Sequence, residues 1–239
     1  LDAALASMAP HVELLDAIAK QSGEPLEGNI IYMHNPSVDI PLAQNPKNRS
    51  KQRNLLSLVR SLPVADACIM EVGFNAGHSA LLCLVGHPQA RLIIFDSCEH
   101  AYTEPCFEAL RQAFPGRIEL IKGPSQQTLP RVRHVRPDLL HIDGCHEPTA
   151  ARADLANGAA ITVPGSCWVV MDDTNFTPVR SVWREAVSSG LVREHVGLCN
   201  TDRHAVGVLM GSSRGGDALI PVLQHRGRMR HVLVLAPID

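Results

Sequence analysis

The chain has 239 residues, of which 45% are hydrophobic and 19% charged, so it can bury a sizeable core and lacks the composition of a disordered segment. A formal net charge of −2 gives no electrostatic reason to expect nucleic acid or an anionic membrane as a partner. No run reaches the roughly 18–20 apolar residues that a membrane span needs, so no membrane partner is expected.

The N-terminal stretch LDAALASMAPHVELLDAIAK carries Asp2 and Glu13 and lacks a basic n-region, so it reads as an amphipathic helix rather than a signal peptide. Residues 34–52, HNPSVDIPLAQNPKNRSKQ, hold three prolines and few apolar residues. They read as a loop or lid, followed by a helix in RNLLSLVRSL. Residues 1–62 thus form an expected helical cap and lid segment, and 63–239 an expected catalytic domain. In the second part apolar runs alternate with helical stretches. The strands read as 67–74, 91–97, 117–123, 138–144 and 167–173, with helices near 77–86, 102–114, 125–133, 148–160 and 178–189. Runs that are apolar throughout, alternating with helices, predict an α/β fold: a doubly wound, mostly parallel sheet covered on both faces. LVREHVGLC (191–199) and HAVGVLMG (204–211) have no helix between them and read as an antiparallel hairpin closing the sheet. HVLVLAPI (231–238) reads as a late strand, an edge that could pair with another chain in a homo-oligomer.

Ligands of such sheets bind outside the carboxyl ends of the strands. That rule selects Glu71–Gly77, Asp96–Ser97, Gly123–Gln126, Asp143–His146 and Asp172–Thr174. Most of these ends carry or adjoin an acid, and clustered carboxylates need ligand amines, hydroxyls or a cation beside them. The seven cysteines are scattered and contain no CxxC pair. Zinc is therefore improbable, and buried, reduced thiols in a cytoplasmic protein are expected.

The stretch IMEVGFNAGHSALL poses the cofactor question. A dinucleotide loop needs glycine at the first, third and sixth positions of G-x-G-x-x-G. From Gly73 those positions hold Gly73, Asn75 and His78. The side chains at 75 and 78 would crowd a pyrophosphate, and the loop runs G-x-N-x-G to Gly77 instead. A ligand without phosphate tolerates that spacing. S-adenosylmethionine offers a carboxylate for the helix N-terminus and loop amides, and cations for nearby acids. Asp96, 19 residues beyond Gly77 at the end of the next strand, can accept both ribose hydroxyls. A plain glycine turn with a capping acid would leave the same residues.

EVGFNAGHSA, then FD, IKGPSQQTLP, LLHIDGCHEPTAARADL and PGSCWVVMDDT resemble a class I S-adenosylmethionine-dependent methyltransferase. More narrowly, the chain is similar to the small-molecule O-methyltransferase group whose fourth strand ends in HIDG-x-H and whose fifth ends in DD. The resemblance spans roughly 65–212. It implies a seven-stranded sheet in the order 3-2-1-4-5-7-6. It implies that Glu71, Gly73 and Gly77, with Asn75, line the methionine part of the cofactor. Asp96 and Ser97 then lie at the ribose, and Gly123, Ser125 and Gln126 near the adenine, with Asp143 also beside the cofactor. The substrate would be the hydroxyl of a small molecule.

The acids Asp143, Asp172 and Asp173 form an oxygen-donor set that suits Mg²⁺, and the resemblance maps them onto the group's metal site. Asp172 and Asp173 can equally cap the DDTNFTP turn. His146, three residues past Asp143, has a side chain that titrates near working pH and can take the hydroxyl proton; it reads equally well as a loop histidine. Cys145 stands where several relatives carry an acid. Asp143 and His146 are the expected catalytic pair. His141 reads as a buried, satisfied polar residue, and His78 as a helix-surface residue. A nicotinamide oxidoreductase is disfavoured by the glycine spacing and by the lack of a Tyr-x-x-x-Lys pair. A nucleic-acid methyltransferase is disfavoured because DGCH replaces Asn/Asp-Pro-Pro-aromatic, although the basic HRGRMRH (225–231) speaks for it. A non-catalytic binding domain with this fold is the remaining alternative.

Overall fold

The computed structural model describes residues 1–199 and 203–211. Helix α1 spans Asp2–Gln21, and a 3₁₀ turn at Pro46–Asn48 leads into α2 (Arg49–Ser61). The alternation follows as β1 (Cys68–Val72), α3 (His78–Gly86), β2 (Arg91–Asp96), α4 (Thr103–Ala113) and β3 (Ile118–Lys122). It continues through the one-turn α5 (Ser125–Thr128), β4 (Leu139–Ile142), α6 (Pro148–Ile161), β5 (Cys167–Asp172) and α7 (Thr177–Ser188). The hairpin strands β6 (Val192–Glu194) and β7 (His204–Leu209) close it. The seven strands form one sheet in the order β3-β2-β1-β4-β5-β7-β6. The pairs among β1 to β5 are parallel, and β7 runs antiparallel to both β5 and β6. This is the expected sheet, with its hairpin. Among the described residues no helix is long and apolar enough to cross a membrane.

Three elements differ from the sequence reading. Helix α2 begins at Arg49, because Pro46 and an Asn45 side chain that accepts from the Lys47 amide start the turn early. The helix expected over 125–133 is one turn plus a 3₁₀ turn at Leu129–Arg131, since Pro130 cannot donate to a continuing helix. Strand β6 stops at Glu194, where a 3₁₀ turn at Val196–Leu198 takes over. HVLVLAPI and HRGRMRH lie outside the described residues.

Side chains alternate across a strand, and here the alternation decides what each face can do. Ile69, Leu92, Ile94, Leu139, Val170 and Val206 join one core with residues of α1 to α4. Their sequence neighbours Met70, Ile93, Phe95, Leu140, Val169 and Met171 join a second core with residues of α6 and α7. The N-terminal helices are therefore part of the packing of the first face. By the same parity Glu71, His141, Asp172 and His204 point to that first face, toward α2, and all four are buried. The apolar layers thus hold a polar strip at the carboxyl end of the sheet.

Candidate active site at the carboxyl edge of the sheet

A cleft of about 800 Å³ opens at this edge, a size usual for small-ligand sites. Its wall takes Gly73 and Asn75 from the loop after β1, and Asp96 and Ser97 from the end of β2. Gly123, Ser125 and Gln126 come from the loop after β3, Asp143 and His146 from the loop after β4, and Asp173 follows β5. The strand-end rule therefore located these residues together. Three expected site residues, Glu71, Gly77 and Asp172, are not on the wall. Glu71 is 1% exposed, and its Oε1 pairs with His141 Nδ1 at 2.9 Å beneath the cleft floor. Gly77 packs behind Phe74, and Asp172 faces α2.

Backbone geometry makes the glycine loop. Gly73 has φ +88°, and a Cβ there would be driven into the Asp143 carbonyl, 2.7 Å from its carbon. This close approach joins the loops after β1 and β4. Asn75 has φ 55°, a left-handed conformation that asparagine tolerates better than most residues. Asp96 holds the turn: its Oδ2 accepts from the amides of Phe74 (2.6 Å) and Asn75 (3.3 Å), and its Oδ1 from the Cys98 amide (2.6 Å). Asp96 thus caps the turn, as the alternative reading had it, and its Oδ1, with one amide bound, keeps acceptor capacity for a ligand hydroxyl.

The cleft wall carries Glu27, Asp96, Glu99, Asp143 and Asp173 and, among the described residues, no lysine or arginine. Asn75 Oδ1 and His78 Nδ1 belong to wall residues and are buried without a partner. Such a wall fits S-adenosylmethionine, whose sulfonium and ammonium exceed its one carboxylate. His78 itself is 1% exposed, pairs with Asp16 at 3.1 Å and meets the Tyr32 ring edge-on. It is not the surface residue expected, because α1 covers the helix it starts.

His146 Nε2 lies 2.8 Å from Asp173 Oδ2, and its ring stacks on Phe176 at 5.0 Å between centroids. The hydrogen bond to Asp173 raises the His146 pKa against partial burial. Burial pushes the Asp173 carboxyl up, but the His146 hydrogen bond and the Lys51 charge outweigh it and hold it below the usual range.

Of the three acids expected to share an ion, Asp143 and Asp172 bring donor atoms close together, and Asp173 does not join them. Asp172 is the last residue of β5 and its side chain follows the strand parity toward α2. Asp173, the first residue past the strand, has φ 54° and turns to His146. The group whose donor atoms lie within 4.8 Å of one another is instead His141, Asp143 and Asp172. Lys51 of α2 already reaches into it. Its ammonium forms an ion pair with Asp172 Oδ2 and stands 3.6 Å from Asp143 Oδ2, with 8% of the side chain exposed. A divalent ion between these carboxylates would face that ammonium at close range, so the residues as arranged do not fit Mg²⁺.

The sequence reading passed over Lys51, Glu27 and Asn29. A signal for Lys51 existed: it lies on the same helical stripe as Leu55, Leu58 and Leu62, at spacings of 4, 7 and 11 residues. A cation on an apolar stripe needs a buried anion. Glu27 and Asn29 sit in an irregular segment, and no periodicity announces them.

Comparisons with known proteins agree with this geometry. Residues 70–174 match a family model described as a methyltransferase domain. No curated protein matches the chain in sequence. Among solved structures, cofactor-bound Rv0187 from MTB superposes with a TM-score of 0.58 at 18% identity, over 85% of this chain and 91% of that one. The O-methyltransferase from Bacillus cereus in complex with SAH gives 0.59 at 15% identity, over 84% and 90%. The O-methyltransferase TomG from Streptomyces achromogenes, in complex with SAM, gives 0.53 at 18% identity, over 72% and 84%. These likenesses concern the fold. Residues 70–174 thus match a methyltransferase domain, and the sheet that holds them has the fold of solved methyltransferases.

Proposed function

We propose that the chain is a class I S-adenosylmethionine-dependent methyltransferase that acts on a hydroxyl group of a small molecule. The observation that carries the reading is the acidic cleft with the His146–Asp173 pair on its wall beside Asp143. S-adenosylmethionine supplies an electrophilic methyl group on its sulfonium. The chain seats it through Asp96 and the loop Gly73–Asn75 at one end, and through Gly123, Ser125 and Gln126 at the other. When the imidazole is neutral and donates its Nε2–H to Asp173, Nδ1 remains as the acceptor for the hydroxyl proton. The imidazolium that forms is then held against the Asp173 carboxylate. Asp143 borders the reacting centre, and the acidic wall favours an acceptor without anionic groups. Residues 1–62 act as a cap: Glu27, Gly28 and Asn29 close one side of the cleft, which excludes water and selects the acceptor. The unbridged cysteines accord with the cytoplasmic location we assign. The Mg²⁺ expected from the sequence enters no step, since Lys51 stands against its carboxylates.

Calorimetry with S-adenosylhomocysteine, followed by methyl-transfer assays over a panel of catechols, vicinal diols and sugars, tests this reading. Binding is expected, and Asp96→Asn should weaken it by roughly tenfold or more, because a charged acceptor is lost. A folded protein with no affinity for the cofactor or its demethylated product would leave a non-catalytic binding domain as the account.

A further inference from the structure

We propose that Lys51 is a built-in cation at the carboxyl edge of the sheet: its ammonium takes the place of a divalent ion between Asp143 and Asp172, and methyl transfer proceeds without metal. The inference rests on the hydroxyl-methylation reading for its activity arm alone. Strand parity sends Asp172 and His141 to the α2 face, and α2 sends Lys51 to meet them. Lys51 is buried on the helix stripe that carries Leu55 and Leu58. Its ammonium touches Asp172, which is 2% exposed by side chain, and approaches Asp143, which is 21% exposed and reaches the cleft wall. One fixed charge thus serves a buried carboxylate and a cleft carboxylate, the bridging role expected of an ion.

The other donors do not rebuild a metal shell around it. Glu71 holds His141 Nδ1 and leaves only Nε2 as a donor, and Asp173 is committed to His146. His204 Nε2 is held by the Asn54 side chain at 3.0 Å on the same face. Mg²⁺ requires near-octahedral oxygen coordination, whereas here two carboxylates already share an ammonium. Lys51 is a positioning residue: it fixes Asp143 from behind the wall.

The test is a titration of the full chain with Mn²⁺, read by the electron paramagnetic resonance signal of the free ion, with S-adenosylhomocysteine present and absent. Wild type and Lys51→Arg should take up no stoichiometric ion at millimolar Mn²⁺. Lys51→Ala frees both carboxylates and should gain a stoichiometric ion, lost again when Asp172→Asn is added. Wild-type turnover should be the same in EDTA and in Mg²⁺. Stoichiometric Mn²⁺ uptake by wild type that Asp172→Asn abolishes would overturn the proposal. So would failure of a folded Lys51→Ala to gain the ion. If Lys51→Ala does not fold, as circular dichroism would show, the wild-type titration decides by itself. A chain that binds no S-adenosylhomocysteine removes the methyltransferase reading, and the Mn²⁺ result still judges Lys51.

Discussion

At the scale of single residues, the side chain to watch is His146. Its neutral form is the proposed base, and Asp173 raises its pKa by accepting a hydrogen bond. Activity should therefore rise with pH through that elevated value. Asp173→Asn removes the anion, so the acid limb of the kcat profile should move to lower pH; an unmoved limb would separate His146 from the chemistry. His146→Gln should lower kcat by about 10²–10⁴-fold and leave S-adenosylhomocysteine affinity intact. Calorimetry beside steady-state kinetics reads both. The consecutive aspartates show how far a motif carries. The sequence displays Asp172 and Asp173 as equals, but the strand ends between them, and they serve Lys51 and His146 respectively.

At the scale of an element, the loop after β1 depends on Gly73. Gly73→Ala combines a left-handed φ of +88° with collision against the Asp143 carbonyl. It should cost about 2–5 kcal/mol and weaken cofactor binding, because the loops after β1 and β4 are forced apart. Gly116→Ala is the control: it shares a positive φ of +75° but meets open space, so only the strain of about 1–2 kcal/mol applies. Urea denaturation of both variants separates collision from strain, and equal losses would show that the close approach is unimportant. The spacing G-x-N-x-G announced a turn that rejects pyrophosphate. It did not announce that Gly77 lies behind Phe74, away from the cleft, since that depends on how α3 packs.

For the whole molecule, the polar strip on the α2 face makes stability depend on pH. Burial first, then the charges of Lys51 and His141, hold the His204 pKa at about 4. His204 is 1% exposed, and its Nδ1 has no hydrogen-bond partner. The unfolded chain takes up a proton near pH 6.5 while the folded one does not until about pH 4, so this contribution is present above about pH 6.5 and lost as pH falls toward 4. The loss is on the order of 3 kcal/mol. His204→Gln should flatten the dependence of the denaturation midpoint over this window, and an unchanged slope would assign acid sensitivity to other groups.

The order of apolar runs and helices, the strand-end rule and the glycine spacing were enough to read a doubly wound sheet with a closing hairpin and the edge where a ligand sits, while the strand order came from the family resemblance. These signals are local or follow from how right-handed crossovers must pack. Only the tertiary structure decided the partners of the charges. A lysine on α2 meets acids at the ends of β4 and β5 because two helices and a sheet face pack together, and Glu71 turns to His141 because β1 and β4 are neighbours in register. Ion pairing across a core depends on distances that close only when distant segments fold against one another, and no spacing along the chain encodes them.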